Sequence, residues 1–172
     1  MGTALVTGAT AGLGLEFAWH LATARHDLVL VARTTERLDQ VAGQIRAAAG
    51  VQVEVLTADL SDPDDVARVA ERLAVTGDEP GEDRRPVGLL VNNAGFATGQ
   101  RFVGGDLDAE LAAVDVMVRA VVQLSHAAVG QMTARGRGAV LNVASVAALT
   151  AGGTYAAAKA YVRSFTEGLA VE

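Results

Sequence analysis

The sequence predicts an α/β fold in which a parallel sheet is wound on both faces by helices. Short apolar runs alternate with longer amphipathic stretches along the chain, as in strands joined by crossover helices. The composition is 51% hydrophobic but only 4% aromatic, with an excess of Ala, Val and Gly. Such small side chains suit tightly packed helix-on-sheet layers. At 172 residues the chain is expected to form one domain, residues 1–172, with a sizeable core.

The elements follow in order. Ala4–Thr7 reads as a first strand, broken by Gly8 and followed by a helix from Leu13 to Arg25. Asp27–Ala32 is a second, buried strand, and Thr35–Ala49 its helix. Val51–Thr57 is a third strand. Asp62-Pro63 then supplies an N-cap and a first-turn proline for a helix ending near Val75. Thr76–Pro86 is charged and turn-rich, a solvated surface loop. Val87–Asn92 is a fourth strand. One long helix is expected from Asp108 to Arg135, stopped by Gly136 and Gly138. Ala139–Ala144 is a fifth strand, and a last helix runs from Thr154 to the end.

Composition narrows function. A formal net charge of −6 disfavours nucleic-acid and anionic-membrane surfaces. The absence of cysteine excludes disulfides, a thiolate nucleophile and thiolate metal sites. His20, His26 and His126 fall singly and far apart, as packing or surface residues do. No metal is expected. No signal peptide or apolar run of spanning length is read. Val6 stands where a myristoylation signal wants Ser or Thr. The expected compartment is the cytoplasm.

Thr7-Gly8-Ala9-Thr10-Ala11-Gly12-Leu13-Gly14 lies between the first strand and the first helix. Glycines there permit a tight turn and let backbone N–H groups approach a pyrophosphate, which the helix N-terminus favours. Gly8, Thr10, Gly12, Leu13 and Gly14 are the candidate contacts. The spacing is Gly-x3-Gly-x-Gly rather than Gly-x-Gly-x-x-Gly, and a glycine-rich turn without a ligand is the alternative. The second strand ends at Ala32-Arg33, where a dinucleotide fold meets the adenosine ribose. An acidic residue there would take the free 2′-hydroxyl of NAD; Arg33 suits the 2′-phosphate of NADP. A surface arginine after a strand is also ordinary.

The chain has a single lysine, Lys159, four residues after Tyr155, and thirteen arginines. A sequence that otherwise writes Arg points to a need for a compact ammonium at that place. Residues four apart share a helix face, so the ammonium can lie beside the phenol. A neighbouring cation favours phenolate, and bringing a tyrosine down by ~2 pKa units takes roughly 3 kcal/mol. Tyr-x-x-x-Lys alone is not specific.

With the cradle, Asn92-Asn93-Ala94-Gly95, Ser145, and Tyr155/Lys159 in consistent order, the chain resembles the short-chain dehydrogenase/reductase family. The resemblance implies a Rossmann-type, doubly wound parallel sheet in the order 3-2-1-4-5, with a nicotinamide cofactor at its carboxyl edge. It implies an adenine contact at Asp59 and Leu60, and a ribose-lining segment at Asn93, Ala94 and Gly95. It also implies reversible hydride transfer between NADP and an alcohol or carbonyl substrate. Tyr155 would be the acid/base, Ser145 would orient the substrate oxygen, and Lys159 would hold the ribose beside the phenol. The helices Asp108–Arg135 and Thr154–Glu172 correspond to those that build homo-oligomers in the family.

Three departures stand against the family pattern. Asp108–Arg135 contains no Asn, where the family has one that holds a water linking Lys to solvent. Met117 falls at its place. Ser145 precedes Tyr155 by only ten residues, a shortened loop that could displace one from the other. The chain ends at Glu172, before the family's last strands and substrate loop, so an incomplete substrate wall and an unpaired fifth strand are expected. The alternative function is a catalytically impaired fragment, or a non-catalytic nucleotide-binding or oligomerising member.

Overall fold

The computed structural model describes residues 2–77 and 84–171. Five strands, β1 (Thr3–Thr7), β2 (Asp27–Ala32), β3 (Val53–Thr57), β4 (Val87–Asn92) and β5 (Ala139–Asn142), form one sheet. Its order is β3-β2-β1-β4-β5, and every pairing is parallel. The helices are α1 (Gly12–Thr23), α2 (Thr35–Ala49), α3 (Pro63–Ala74), α4 (Leu107–Val114), α5 (Ala120–Ala134) and α6 (Gly153–Leu169). Strand order reverses between β1 and β4, so the loops after these strands open a crevice at the carboxyl edge of the sheet. The Rossmann-type expectation and its strand order hold.

The central strands are apolar on both faces because both are covered. On one face Ala4, Val6, Leu28, Leu30 and Val91 meet Ala18 and Ala22 of α1 and Leu38, Ala42 and Ile45 of α2. On the other, Leu5, Val29, Val31 and Leu90 meet Val69 and Leu73 of α3 and Leu124 and Ala128 of α5. α6 adds a smaller cluster, Ala158 against Ala113 and Met117, with Tyr155 packed on it.

Helix ends follow the local chemistry. The Asp62 carboxylate accepts from the Asp64 N–H at 2.9 Å and Pro63 opens α3. Asp106 caps α4 in the same way at 3.0 Å. α5 stops as expected at Gly136, whose φ is +64°. There the Arg137 N–H reaches the Met132 carbonyl at 3.0 Å and the Gly136 N–H reaches Thr133 at 3.0 Å, a Schellman closure.

Several expectations meet a different structure. The third strand begins at Val53, not Val51, and the fifth ends at Asn142, not Ala144. The long helix is not uniformly α: Asp115–Arg119 forms a π turn between α4 and α5, and Met117 sits inside it. Its Leu107–Ala134 course is also long and apolar enough to cross a membrane by length and composition, with a window hydropathy of 1.4. Here that helix lies on the sheet and α3 as a core element. The expected surface loop Thr76–Pro86 lies partly outside the described residues, which omit 78–83.

β5 is the sheet edge anticipated from the sequence. It pairs with β4 alone, and Leu141 is 38% exposed. A groove of about 470 Å³ runs beside it, lined by Met132, Val140, Asn142, Thr166 and Leu169 among others.

Candidate active site

The glycine-rich turn after β1 is locked to the segment after β4. Gly8 takes φ +67°, a conformation that favours glycine. The Thr7 hydroxyl accepts the N–H groups of Asn93 and Ala94, each at 3.0 Å, and donates to the Val91 carbonyl at 3.3 Å. Asn93 Nδ2 donates to the carbonyls of Thr7 at 2.9 Å and Gly8 at 3.4 Å. Gly14 packs against the same atoms: a Cβ there would lie 2.2 Å from the Gly8 carbonyl oxygen and 2.4 Å from Asn93 Nδ2.

α1 differs from α3 and α4 at its start. Its N-cap is Ala11, no side chain caps it, and its first turn holds no acid. The first-turn N–H groups of a helix need partners; here no capping side chain claims them, and the helix dipole favours an anion. Leu13 is 62% exposed beside them, Gly12 is exposed, and Thr10 is half-buried. A pyrophosphate fits these residues on both counts, close backbone approach and uncapped donors. Arg33 follows β2 at the same edge, exposed and without an ion pair among the described residues.

Asp59 and Leu60 follow β3. The Asp59 carboxylate accepts from the Ser61 N–H at 2.9 Å and the Ser61 hydroxyl at 2.7 Å, while its own N–H donates to Asp65. The Leu60 side chain is 7% exposed and belongs to the core cluster with Val66 and Val69 of α3.

The second half of the site gathers around Lys159, which is 5% exposed. Its Nζ donates to the Val143 carbonyl at 2.7 Å and lies 5.9 Å from the centre of the Tyr155 ring. A Cβ on Gly95 would come within 3.4 Å of that Nζ and 3.1 Å of Met117 Cγ. Gly95, Met117, Tyr155 and Lys159 therefore gather here, with Met117 and Tyr155 in the cluster around Ala158. Burial pushes the Lys159 pKa below its ordinary value, and no carboxylate among the described residues offsets it. Ser145 leads into a 3-10 turn, Val146–Leu149, and its Oγ accepts the Ala147 N–H at 3.1 Å. The short loop between Ser145 and Tyr155 is thus folded and packed on α6.

Some polar contacts at this edge escaped the sequence reading. Asn92, 5% exposed, donates to Ser125 Oγ at 3.1 Å and Asn142 Oδ1 at 2.9 Å, and Asn142 donates to Thr166 Oγ1 at 3.0 Å. This chain ties β4, β5, α5 and α6 together beneath the crevice. The Asn92-Asn93 pair was the available signal, since two adjacent amides leaving a strand point to opposite sides. Glu110, 6% exposed, is a second such residue.

Comparison with known proteins bears on the family and the fold. The chain matches the short chain dehydrogenase family over residues 2–172. It is 32% identical to a very-long-chain 3-oxoacyl-CoA reductase of Anas platyrhynchos, covering 98% of this chain and 54% of the relative. The chain thus spans about half the length of that relative. Among solved structures, a short-chain dehydrogenase from Sphingobium yanoikuyae in complex with NADPH is 36% identical, with a TM-score of 0.91 over 99% of this chain and 65% of that one. L-Sorbose reductase from Gluconobacter frateurii, complexed with NADPH and L-sorbose, is 30% identical with a TM-score of 0.85, covering 98% and 63%. The uncapped cradle, the Asn93 lock and the half-buried Tyr155 beside buried Lys159 sit on a fold shared along the whole match, and the chain belongs to the short chain dehydrogenase family of oxidoreductases.

Proposed function

We propose that the chain binds NADP and catalyses reversible hydride transfer between the nicotinamide and an alcohol or carbonyl carbon, with Tyr155 as acid/base. The observation that carries the reading is Lys159. An ammonium 5% exposed, without a carboxylate, is costly to a fold. Its place beside Tyr155 and Gly95 makes sense as a binding and catalytic device. The nearby structures bound to NADPH support the choice of cofactor, as does Arg33, exposed and without an ion pair among the described residues.

Gly8, Thr10, Gly12, Leu13 and Gly14 would hold the pyrophosphate and Arg33 the 2′-phosphate. Asp59 and Leu60 would meet the adenine, and Asn93, Ala94 and Gly95 the ribose. When bound, the nicotinamide supplies or accepts the hydride. In the reducing direction Tyr155 Oη gives its proton to the carbonyl oxygen; in the oxidising direction it takes the proton back. Lys159 would hold ribose hydroxyls and place positive charge beside the phenol. The Ser145 hydroxyl would orient the substrate oxygen. Met117 accepts hydrogen bonds only weakly, so the reading has protons return to Tyr155 directly from solvent.

Exposed apolar side chains after β4 and β5, Phe96 at 37%, Val146 at 85% and Leu149 at 73%, favour a lipophilic carbonyl compound. Leu107 and Leu111 on α4 and Tyr161 on α6 are also exposed and favour self-association through the long helices. The test is Tyr155→Phe assayed with a panel of lipophilic ketones. The expected result is turnover reduced at least ~1,000-fold with NADPH affinity largely kept. Retained turnover in that variant would end the assignment.

A further inference from the structure

Glu110 is a buried carboxylate that the chemistry above does not use. It lies in the first turn of α4 and is 6% exposed, although a first-turn acid normally faces solvent and serves the helix dipole. A carboxylate taken out of water needs its oxygens satisfied. Thr98 Oγ1 donates to Oε1 at 2.8 Å and Gln100 Nε2 donates to it at 3.0 Å. Glu110 lies one turn before Ala113, which packs on Ala158 of α6, and Thr154 lies one turn before Ala158, so the two face each other across the α4–α6 contact; the Thr154 hydroxyl is the first influence holding this carboxyl below its ordinary range. No basic residue among those described pairs with it.

These partners come from two places that the backbone leaves loosely joined. Thr98 and Gln100 belong to the loop between β4 and α4. Gln100 also closes that loop, donating to the Asp106 carbonyl at 2.8 Å and accepting the Asp106 N–H at 2.9 Å. Thr154 is the second residue of α6 and directly precedes Tyr155. α6 enters through Gly152-Gly153, with Gly153 at φ +63°, and no side chain caps its start. Two glycines give this entry little stiffness of their own.

We propose that Glu110 is a positioning residue that fixes the Tyr155-bearing turn of α6 against the Thr98–Asp106 loop, so that the phenol is held where the substrate oxygen arrives. The proposal rests on the acid/base reading of Tyr155. Through Glu110 the loop, whose Phe102 and Val103 are 67% and 90% exposed, is coupled to the catalytic turn. A ligand that orders the loop orders the turn as well.

The experiment uses the full 172-residue chain with Glu110→Ala, Glu110→Gln and Thr154→Val. The first readout needs no activity: amide hydrogen exchange over residues 98–106 and 153–158, with α1 as the internal control. Glu110→Ala should speed exchange in both segments, Thr154→Val in the helix turn alone, and neither in α1. The second readout is NADPH oxidation. Glu110→Ala should lower kcat about 10-fold or more, since a misplacement of ~1 Å can cost ~100-fold, while NADPH affinity stays within about 2-fold. Glu110→Gln keeps an oxygen for Thr98 and Gln100 and an amide for Thr154, and should restore kcat to within about 3-fold. The Glu110→Ala/Thr154→Val pair should be no worse than Glu110→Ala alone, because both remove one contact. Unchanged exchange in the α6 turn, or losses that simply add, would overturn the proposal. If the unmodified chain turns nothing over, the Tyr155 reading fails by itself, and exchange still decides the tether.

Discussion

Gly14→Ala and Gly43→Ala should move stability in opposite directions, although both replace a glycine inside a helix. A Cβ at Gly14 would stand 2.2 Å from the Gly8 carbonyl oxygen and 2.4 Å from Asn93 Nδ2, roughly 1 Å or more inside van der Waals contact. The first obstacle is backbone, and the second is held by hydrogen bonds to Thr7 and Gly8. Neither can swing aside. Overpacking of this kind costs about 1–3 kcal/mol. Each weakened hydrogen bond adds about 1 kcal/mol, and the better helix propensity of alanine returns about 1 kcal/mol. The net loss is roughly 1–4 kcal/mol, or a Tm lower by about 3–15 °C for a chain of this size. Gly43 in α2 is exposed with nothing within 4 Å of its Cβ position, so alanine there should gain up to ~1 kcal/mol. Thermal unfolding by circular dichroism reads both, and an NADPH titration should show Gly14→Ala weakened at least ~10-fold, because the shift displaces the cradle. A Gly14→Ala chain that melts like Gly43→Ala and binds NADPH normally would refute the packing argument.

Other outcomes follow from the same geometry. Burial holds Lys159 below its ordinary pKa of 10.5. Below that lowered value the ammonium is charged in both folded and unfolded chains. As pH rises from it toward 10.5, the folded chain has released a proton that the unfolded chain keeps, so stability rises. Urea unfolding of the cofactor-free chain between about pH 7 and pH 10 should show that rise, and Lys159→Met should lack it; parallel curves would contradict the burial argument. Lys159→Arg should lose most turnover, because a planar guanidinium does not fit beside Gly95 and Met117, and a fully active Arg variant would refute the need for an ammonium. Asn92→Ala should cost about 2–3 kcal/mol by leaving buried partners unpaired, and should be non-additive with Asn142→Ala. Additive losses in chemical denaturation would break the claim that they form one network.

Strands β2 and β4 were legible to the residue, because each is a mostly apolar run with a polar residue at one end, Asp27 or Asn92. The tight turn after β1 was legible too, since Gly14 stands where a side chain cannot go. The π turn at Asp115–Arg119 was not. One extra residue in a helical turn leaves composition unchanged, and Val116, Met117 and Val118 are apolar in either geometry. The networks of Asn92 and Glu110 stayed hidden for a related reason. Their partners lie 33 and 50 residues away for Asn92, and for Glu110 depend on a loop folding back onto α6. Local pattern reports which residues share a strand or helix face, not which distant polar groups will meet.

The most direct measurement is a titration of the 172-residue chain with NADPH and NADH, followed through Trp19, the single tryptophan, which lies on α1 behind the cradle. The account predicts saturable binding that favours NADPH by about 10-fold or more, with the preference lost in Arg33→Ala, since the 2′-phosphate gains a charge-assisted partner only from the arginine. A folded chain that binds neither nucleotide, or prefers NADH, would contradict it.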